Sequence, residues 1–391
     1  MPSSQPAVVY RKTSKDEREE IIDIARGFAM LFVCLSHFAS VYLLVHKEMA
    51  AANVLSALGM LASPSFVCLS GTLVGIAYVR RPKAFAQFQL KLADRALFLL
   101  SVGHVLMLLS VLPAHFDSHG PLGWVFITDA IAFCLLLAPW IMTRLTPRER
   151  VLLGVVLLSV SWLLVDDWQP RVSAEVGIKG MLFGETDRYW FPIIPWLGIY
   201  LASTAFGEHL GAILMEGDYA KVVATMARVG GALVMGSALL GAVHWAAAHG
   251  TLGVVHDSRG LESMTSVWQK YPPGVAYVLL FGGLGIALDA VLVQLWRYSI
   301  ATSTLRTFAA VGRSSLLIYV LQAQVYYVIL HYVRLPRTNA WPLVLVATLV
   351  PLAMAARWWS ARGMNRYLTV GLPTLVAAIA ARRDALLRTG G

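Results

Sequence analysis

Two ionisable residues, Arg26 and His37, stand eleven positions apart inside one long apolar stretch, 21–44, which reads IIDIARGFAMLFVCLSHFASVYLL. Read as one helix, eleven steps of 100° make three turns plus about 20°, so both side chains share a face about 16 Å apart. One then sits at a membrane surface and the other near the bilayer centre. A forked guanidinium at the edge suits a pair of phosphate oxygens. An imidazole that titrates near neutrality suits general-base or nucleophilic work. An ionisable group at that depth costs a few kcal/mol and as a rule faces a polar cavity or a partner. The plainer alternative is a structural hydrogen bond, for which Ser40, three residues on, is a local partner of His37.

Other polar residues inside apolar runs widen the set. His104, Asp129 and Asp289 are each candidates to orient His37, since a carboxylate beside an imidazole fixes its tautomer and raises its basicity. Each serves equally well as a satisfied structural residue, and spacing does not choose among them. The segment 80–95, RRPKAFAQFQLKLADR, offers Arg80, Arg81 and Arg95, either as an anchor for anionic lipid or as a cradle for phosphates. His115 and His119 lack further ligands at matched spacing, so no metal site is expected. Cys34, Cys68 and Cys134 lie in apolar runs without metal or disulfide spacing and read as packing.

The elements that must position these residues are membrane helices. With 391 residues, 58% hydrophobic and 14% charged, and a mean hydropathy of +0.65, the chain falls far below the charge content of about 25% of a soluble domain. Apolar runs fall at 24–45, 54–79, 96–112, 125–142, 151–165, 192–206, 229–247, 274–296, 315–330 and 341–356. The fold class expected is therefore all-α, a polytopic transmembrane bundle of about ten helices of about twenty residues each. A shorter run, 368–381, is broken by Gly371 and Pro373 and reads as interfacial or re-entrant more readily than as an eleventh crossing. The first run reads as a retained helix, with small residues at 50–52 as the cue for the alternative, a cleaved leader.

The net charge of +10 is a topology signal and not a nucleic-acid footprint, because the basic residues cluster between apolar runs. Placing the N-terminus in the cytoplasm puts about 24 basic residues inside and about 8 outside. Both termini are then cytoplasmic, with a polar tail 1–20, a membrane domain 21–367 and a basic tail 368–391. The opposite face carries long loops with Trp168, Tyr189, Trp190, Trp268 and Tyr271, suited to sugar stacking or to an interfacial aromatic belt. No nucleotide-binding glycine motif, Walker motif, HExxH, nucleophile elbow or internal repeat is present.

Four stretches carry a family resemblance. ARGFAMLFVCLSHF, giving Arg-x10-His, resembles the opening of the membrane-bound acyltransferase superfamily that includes acyltransferase-3 and heparan-α-glucosaminide N-acetyltransferase-like proteins. SFVCLSGTLVGIAYVRR followed by ADRALFLL is similar to its second helix and the arginine opening the third, here Ser70, Gly71 and Arg95. FPIIPWLGIYLAS resembles the Pro-Trp-x-Gly helix of bacterial members, and VGRSSLLIYVLQ, with Ser315, resembles their late Gly-Arg-x-Ser-Leu-x-x-Tyr helix. One departure is plain: relatives that continue with Tyr-x-x-His have a histidine where this chain, after Tyr319, has Gln322.

The resemblance implies transfer of an acyl group, acetyl first, from cytoplasmic acyl-CoA to a sugar amine or hydroxyl at the opposite face, by an integral protein of a bacterial inner membrane. His37 is then the catalytic residue, with Arg26, Arg95, Arg80 and Arg81 holding the donor's phosphates. Asp129, His104, Ser70, Ser315 and Gln322 are supporting candidates. Acetyl-CoA is the donor substrate, no metal is needed, and the partners are membrane lipid and a saccharide acceptor, with a homodimer allowed. A pantetheine arm about as long as the Arg26-to-His37 span would bring the thioester to His37. The rival from another class is a proton-coupled transporter with His37, His104, Asp129 and Asp289 as its path; a non-catalytic scaffold has nothing in its favour.

Overall fold

A computed structural model describes residues 15–44, 48–111, 125–184, 190–249, 259–332, 340–368 and 371–373. Among them every regular element is helical. In chain order these are α1 (Lys15–Phe38), α2 (Met49–Gly59), α3 (Ala62–Arg80), α4 (Phe85–Phe98), α5 (His104–Val111), α6 (Ile127–Met142), α7 (Pro147–Asp167), α8 (Ser173–Phe183) and α9 (Ile193–Glu216). They continue with α10 (Tyr219–Ala248), α11 (Arg259–Thr265), α12 (Val275–Tyr277), α13 (Gly283–Arg297), α14 (Thr302–Arg313), α15 (Ser315–Ala323), α16 (Leu330–Tyr332) and α17 (Trp341–Ala361).

All ten apolar runs lie on helices, but fewer helices than ten meet the length and composition of a membrane crossing. Among the described residues there are 7, or 8 if the bent pair Thr302–Arg313 and Ser315–Ile329 is one span. The reasons are local. α6 has 16 residues, about 24 Å, short of a hydrocarbon core of about 30 Å, and α7 carries charged residues at both ends, Arg148, Glu149 and Arg150 at one and Asp166 and Asp167 at the other. The run at 315–330 is one arm of a pair bent by 80° with α14, so it is not a straight crossing by itself. Of the run at 368–381, only 368 and 371–373 are among the described residues, as are none of His115, His119 and Tyr189.

Helices this apolar gain little from hiding hydrophobic surface from lipid, so close backbone approach holds them together. α3 and α9 meet so tightly that a Cβ on Gly207 would stand 2.0 Å from the carbonyl oxygen of Thr72. α1 and α14 meet the same way: a Cβ on Gly312 would lie 1.8 Å from the Asp23 carbonyl oxygen. The second seam fixes α1 against α14. A third seam, between α7 and α9, is polar. Arg150, fully buried, donates to Thr204 Oγ1 at 2.8 Å and pairs with Glu208. Although it stands just before the apolar run at 151–165, Arg150 is an interior clamp.

Among the described residues four π-helical segments interrupt the α-helices, at Ala39–Leu43, Leu99–Gly103, Val278–Gly282 and Gln324–Ile329. Each widens the helical turn and re-aims the side chains beside it, and such segments are common at functional sites. Three adjoin the residues of interest: one follows His37, one ends at His104 and one follows Gln322 by a single residue.

Candidate active site

His37 is the penultimate residue of α1, and its ring opens on a cavity of about 310 Å3 at the end of the bundle away from Arg26. The cavity walls come from α1, α2, α5 and α15, from Trp190 and Phe191 ahead of α9, and from Lys270 and Tyr271 ahead of α12. Phe191 meets Tyr271 edge-on at 5.4 Å and Trp190 lies 6.2 Å from the same ring. Two of the five outer aromatics singled out from the sequence, Trp190 and Tyr271, thus line the cavity; Trp168 and Trp268 do not.

The imidazole is held from one side. His37 Nδ1 lies 2.7 Å from Gln322 Oε1, while Gln322 Nε2 donates to the Tyr319 carbonyl at 3.0 Å. The second bond decides the first. Because the amide nitrogen must point at a carbonyl, its oxygen faces the ring, and Nδ1 must carry the proton and donate. Nε2 is left with a lone pair. Gln322 is fully buried, so the arrangement is locked by α15, and Tyr327 packs on the ring at 5.2 Å and 61°. Ser40, the local partner expected for the ring, donates to the His37 backbone carbonyl at 3.1 Å instead.

The carboxylates expected to orient His37 are elsewhere. Asp129 Oδ2 accepts from His104 Nδ1 at 3.0 Å and from the Phe126 backbone N–H at 2.8 Å. The second bond is an N-terminal cap of α6, since Asp129 is its third residue. His104 and Asp129 therefore form their own pair, one wall away: Phe126, whose ring lies tilted beside His104 at 5.6 Å, also lines the His37 cavity. Asp289 is half-buried in a separate cavity of about 120 Å3 that it shares with Arg80. Ser315 begins α15 after the bend and is not among the residues lining the His37 cavity.

At the other end of α1 the charged groups gather. Arg26 lies 3.8 Å from Asp23 Oδ1, and Arg313 Nη1 lies 3.6 Å from Asp23 Oδ2. Arg95 and the Tyr200 ring are within electrostatic range of Arg26, and Ser70 Oγ sits 3.2 Å from Tyr200 Oη. Arg95 also donates to the Leu368 carbonyl at 2.7 Å and rests over the Phe98 ring at 5.0 Å. The neighbouring Asp94 accepts from the Leu372 N–H at 2.9 Å, so the chain beyond α17 crosses this face. Arg81 is exposed at the end of α3 and joins neither group.

Sequence reading thus named both ends of α1 but missed four contributors: Lys270, Tyr327, Arg313 and Tyr200. Arg313 and Tyr200 stood inside stretches quoted for their resemblance, VGRSS and PWLGIY, and were the findable ones. Lys270 and Tyr327 come to the cavity only through tertiary packing.

Comparison with known proteins gives the class first: a membrane-embedded acetyltransferase. More than half of the chain, residues 18–241, matches the family described as heparan-alpha-glucosaminide N-acetyltransferase, catalytic, and the chain belongs to that family. His37, the Arg26 cluster up to Tyr200, and the His104–Asp129 pair fall inside the matched part; Lys270, Arg313 and Gln322 fall beyond it. No individual curated protein matches the chain.

Proposed function

We propose that the protein transfers an acetyl group from acetyl-CoA, held by its phosphates at the Arg26 end, to an amine or hydroxyl of a saccharide that enters the His37 cavity from the opposite face. The observation that carries this reading is the locked imidazole. Its Nδ1–H is committed to Gln322, and its Nε2 lone pair is available in a cavity rimmed by aromatic rings. Arg26 and Arg313 share Asp23, and Arg95 stands within electrostatic range of Arg26, which gives this end an excess of positive charge suited to phosphate.

In the reaction the acceptor nitrogen or oxygen forms a bond to the thioester carbonyl carbon while His37 Nε2 takes its proton. The carbonyl π pair moves onto oxygen. Collapse of that oxyanion breaks the C–S bond, and the proton held by His37 passes to the departing sulfur, giving the acetylated acceptor and CoA thiol. The neutral partner of His37 favours this direct route over an acetyl-histidine intermediate. An acetylated Nε2 with Nδ1–H retained is a cation, and Gln322 cannot take its proton. Among the described residues lining the cavity there is no carboxylate to offset it, and Lys270 adds a second positive charge. A persistent cation at such a site is costly, whereas an imidazolium facing an oxyanion is compensated.

Against the transporter, the polar residues named for its path are divided among sites: His104 bonds Asp129, and Asp289 opens on another cavity. The test is CoA thiol release from acetyl-CoA by purified protein, with and without a panel of amino sugars. Release that depends on His37, with intersecting initial-velocity lines for donor and acceptor, is the expected result. Parallel lines and an isolable acetyl-protein would overturn direct transfer. A folded protein that neither binds nor turns over acyl-CoA would overturn the enzyme reading.

A further inference from the structure

The charge that develops during acyl transfer has to be met by something. Stabilising the oxyanion of such an intermediate is commonly the largest single contribution to catalysis, and backbone N–H groups often supply it. Here the walls from α1, α2, α5 and α15 are helical, and their N–H groups are engaged in helical hydrogen bonds. The side-chain donors at the cavity include the hydroxyls of Tyr271 and Tyr319 and the ammonium of Lys270. Of the described residues lining the cavity, Lys270 alone carries a fixed positive charge.

Lys270 is also restrained. It is half-buried, lies 5.1 Å from the centre of the Tyr271 ring, and stands near enough to the His37 ring for the two to interact electrostatically. Tyr271 is in turn wedged by Phe191. A cation held against an aromatic face is placed in advance of reaction, so it need not reorganise when charge appears.

We propose that Lys270 is a catalytic residue that meets the oxyanion of the tetrahedral intermediate, opposite the proton carried by His37. The inference rests on the acyl-transfer reading above and assigns a role outside the family-matched part of the chain. It accounts for a cation facing the base: during the step, one negative charge forms between the Lys270 ammonium and the new imidazolium. When the C–S bond breaks, the electron pair on oxygen re-forms the carbonyl and Lys270 is left as it began.

The experiment compares wild type with Lys270→Met, Lys270→Arg and His37→Ala in the full-length protein. Acetyl transfer is measured alongside binding of CoA and of S-(phosphonomethyl)-CoA, whose tetrahedral anion stands in for the intermediate. The expected result for Lys270→Met is a kcat about 10²–10³-fold lower, with donor and acceptor KM little changed. CoA should bind as before while the phosphonate binds at least about tenfold more weakly, and Lys270→Arg should recover part of both losses. A kcat within threefold of wild type overturns the inference. So does a loss confined to acceptor KM, which would make Lys270 an acceptor-recognition group, or a phosphonate affinity that does not change. If His37→Ala retains activity, the base reading fails on its own; if only Lys270→Met is indistinguishable from wild type, this inference alone fails.

Discussion

At the Arg26 end of α1 two guanidiniums, those of Arg26 and Arg313, share the Asp23 carboxylate with Arg95 near Arg26, whereas at the His37 end the imidazole is held by a neutral amide among aromatic rings. One helix therefore carries a charged, partly exposed site and a locked, mostly apolar one about 16 Å apart. In the proposed reaction the difference is that between holding a substrate and acting on it. A phosphate site works at the membrane surface with excess charge that keeps some hydration. A base inside the bilayer works only if its tautomer is fixed and the charge it acquires has an immediate counter-charge.

The largest effect should come from the base itself. His37→Ala is expected to lower kcat by about 10³-fold while calorimetric CoA affinity stays within threefold of wild type; a matching loss of CoA binding would break the division between the two ends. Next is the locking amide. Gln322→Leu leaves Nδ1–H buried without an acceptor, at about 1–3 kcal/mol, so kcat should fall about tenfold to a hundredfold with donor KM unchanged. Gln322→Glu supplies an acceptor for the same N–H and should recover ring placement, read as partial return of kcat.

Smaller effects belong to the charged end. Arg26→Gln should raise the KM for acetyl-CoA about tenfold, the worth of one charge-assisted contact, and leave kcat within a few-fold. The defect should shrink when a truncated pantetheine thioester lacking phosphates replaces acetyl-CoA. A drop in kcat with no change in KM would show that Arg26 acts on the His37 end. Gly207→Ala sharpens the comparison from outside both sites. Its methyl group would push into the Thr72 carbonyl across the α3–α9 seam, at about 1–3 kcal/mol. The thermal midpoint should fall by several degrees, with kcat of the folded fraction unchanged.

How far the sequence carried can be judged residue by residue. The Arg26–His37 pair was legible because a regular helix turns spacing into geometry, and α1 stays regular through Phe38. Ten apolar runs were legible as helices because hydropathy alone marks them. The number of crossings was not, since the short α6 and the 80° bend before α15 depend on how neighbours pack. The supporter of His37 was not legible either. Asp129 and Asp289 carried the right chemistry on paper, but Asp129 was claimed by the Phe126 N–H and by His104, and Asp289 faces another cavity. Gln322, noticed only as a departure from a family pattern, is the residue in contact.

The sequence by itself determined the membrane helices, the face shared by Arg26 and His37, and the family motifs, because periodicity, hydropathy and short motifs are local properties. Tertiary structure alone decided which side chains meet. The His37–Gln322 bond spans 285 positions, the cavity collects residues from seven separate segments, and the π-helical turns beside His37 and Gln322 set where the rings point. Contacts at such separations depend on helix–helix seams such as Gly312 against Asp23 and Gly207 against Thr72. Their register is fixed by backbone approach, which no spacing within one helix encodes.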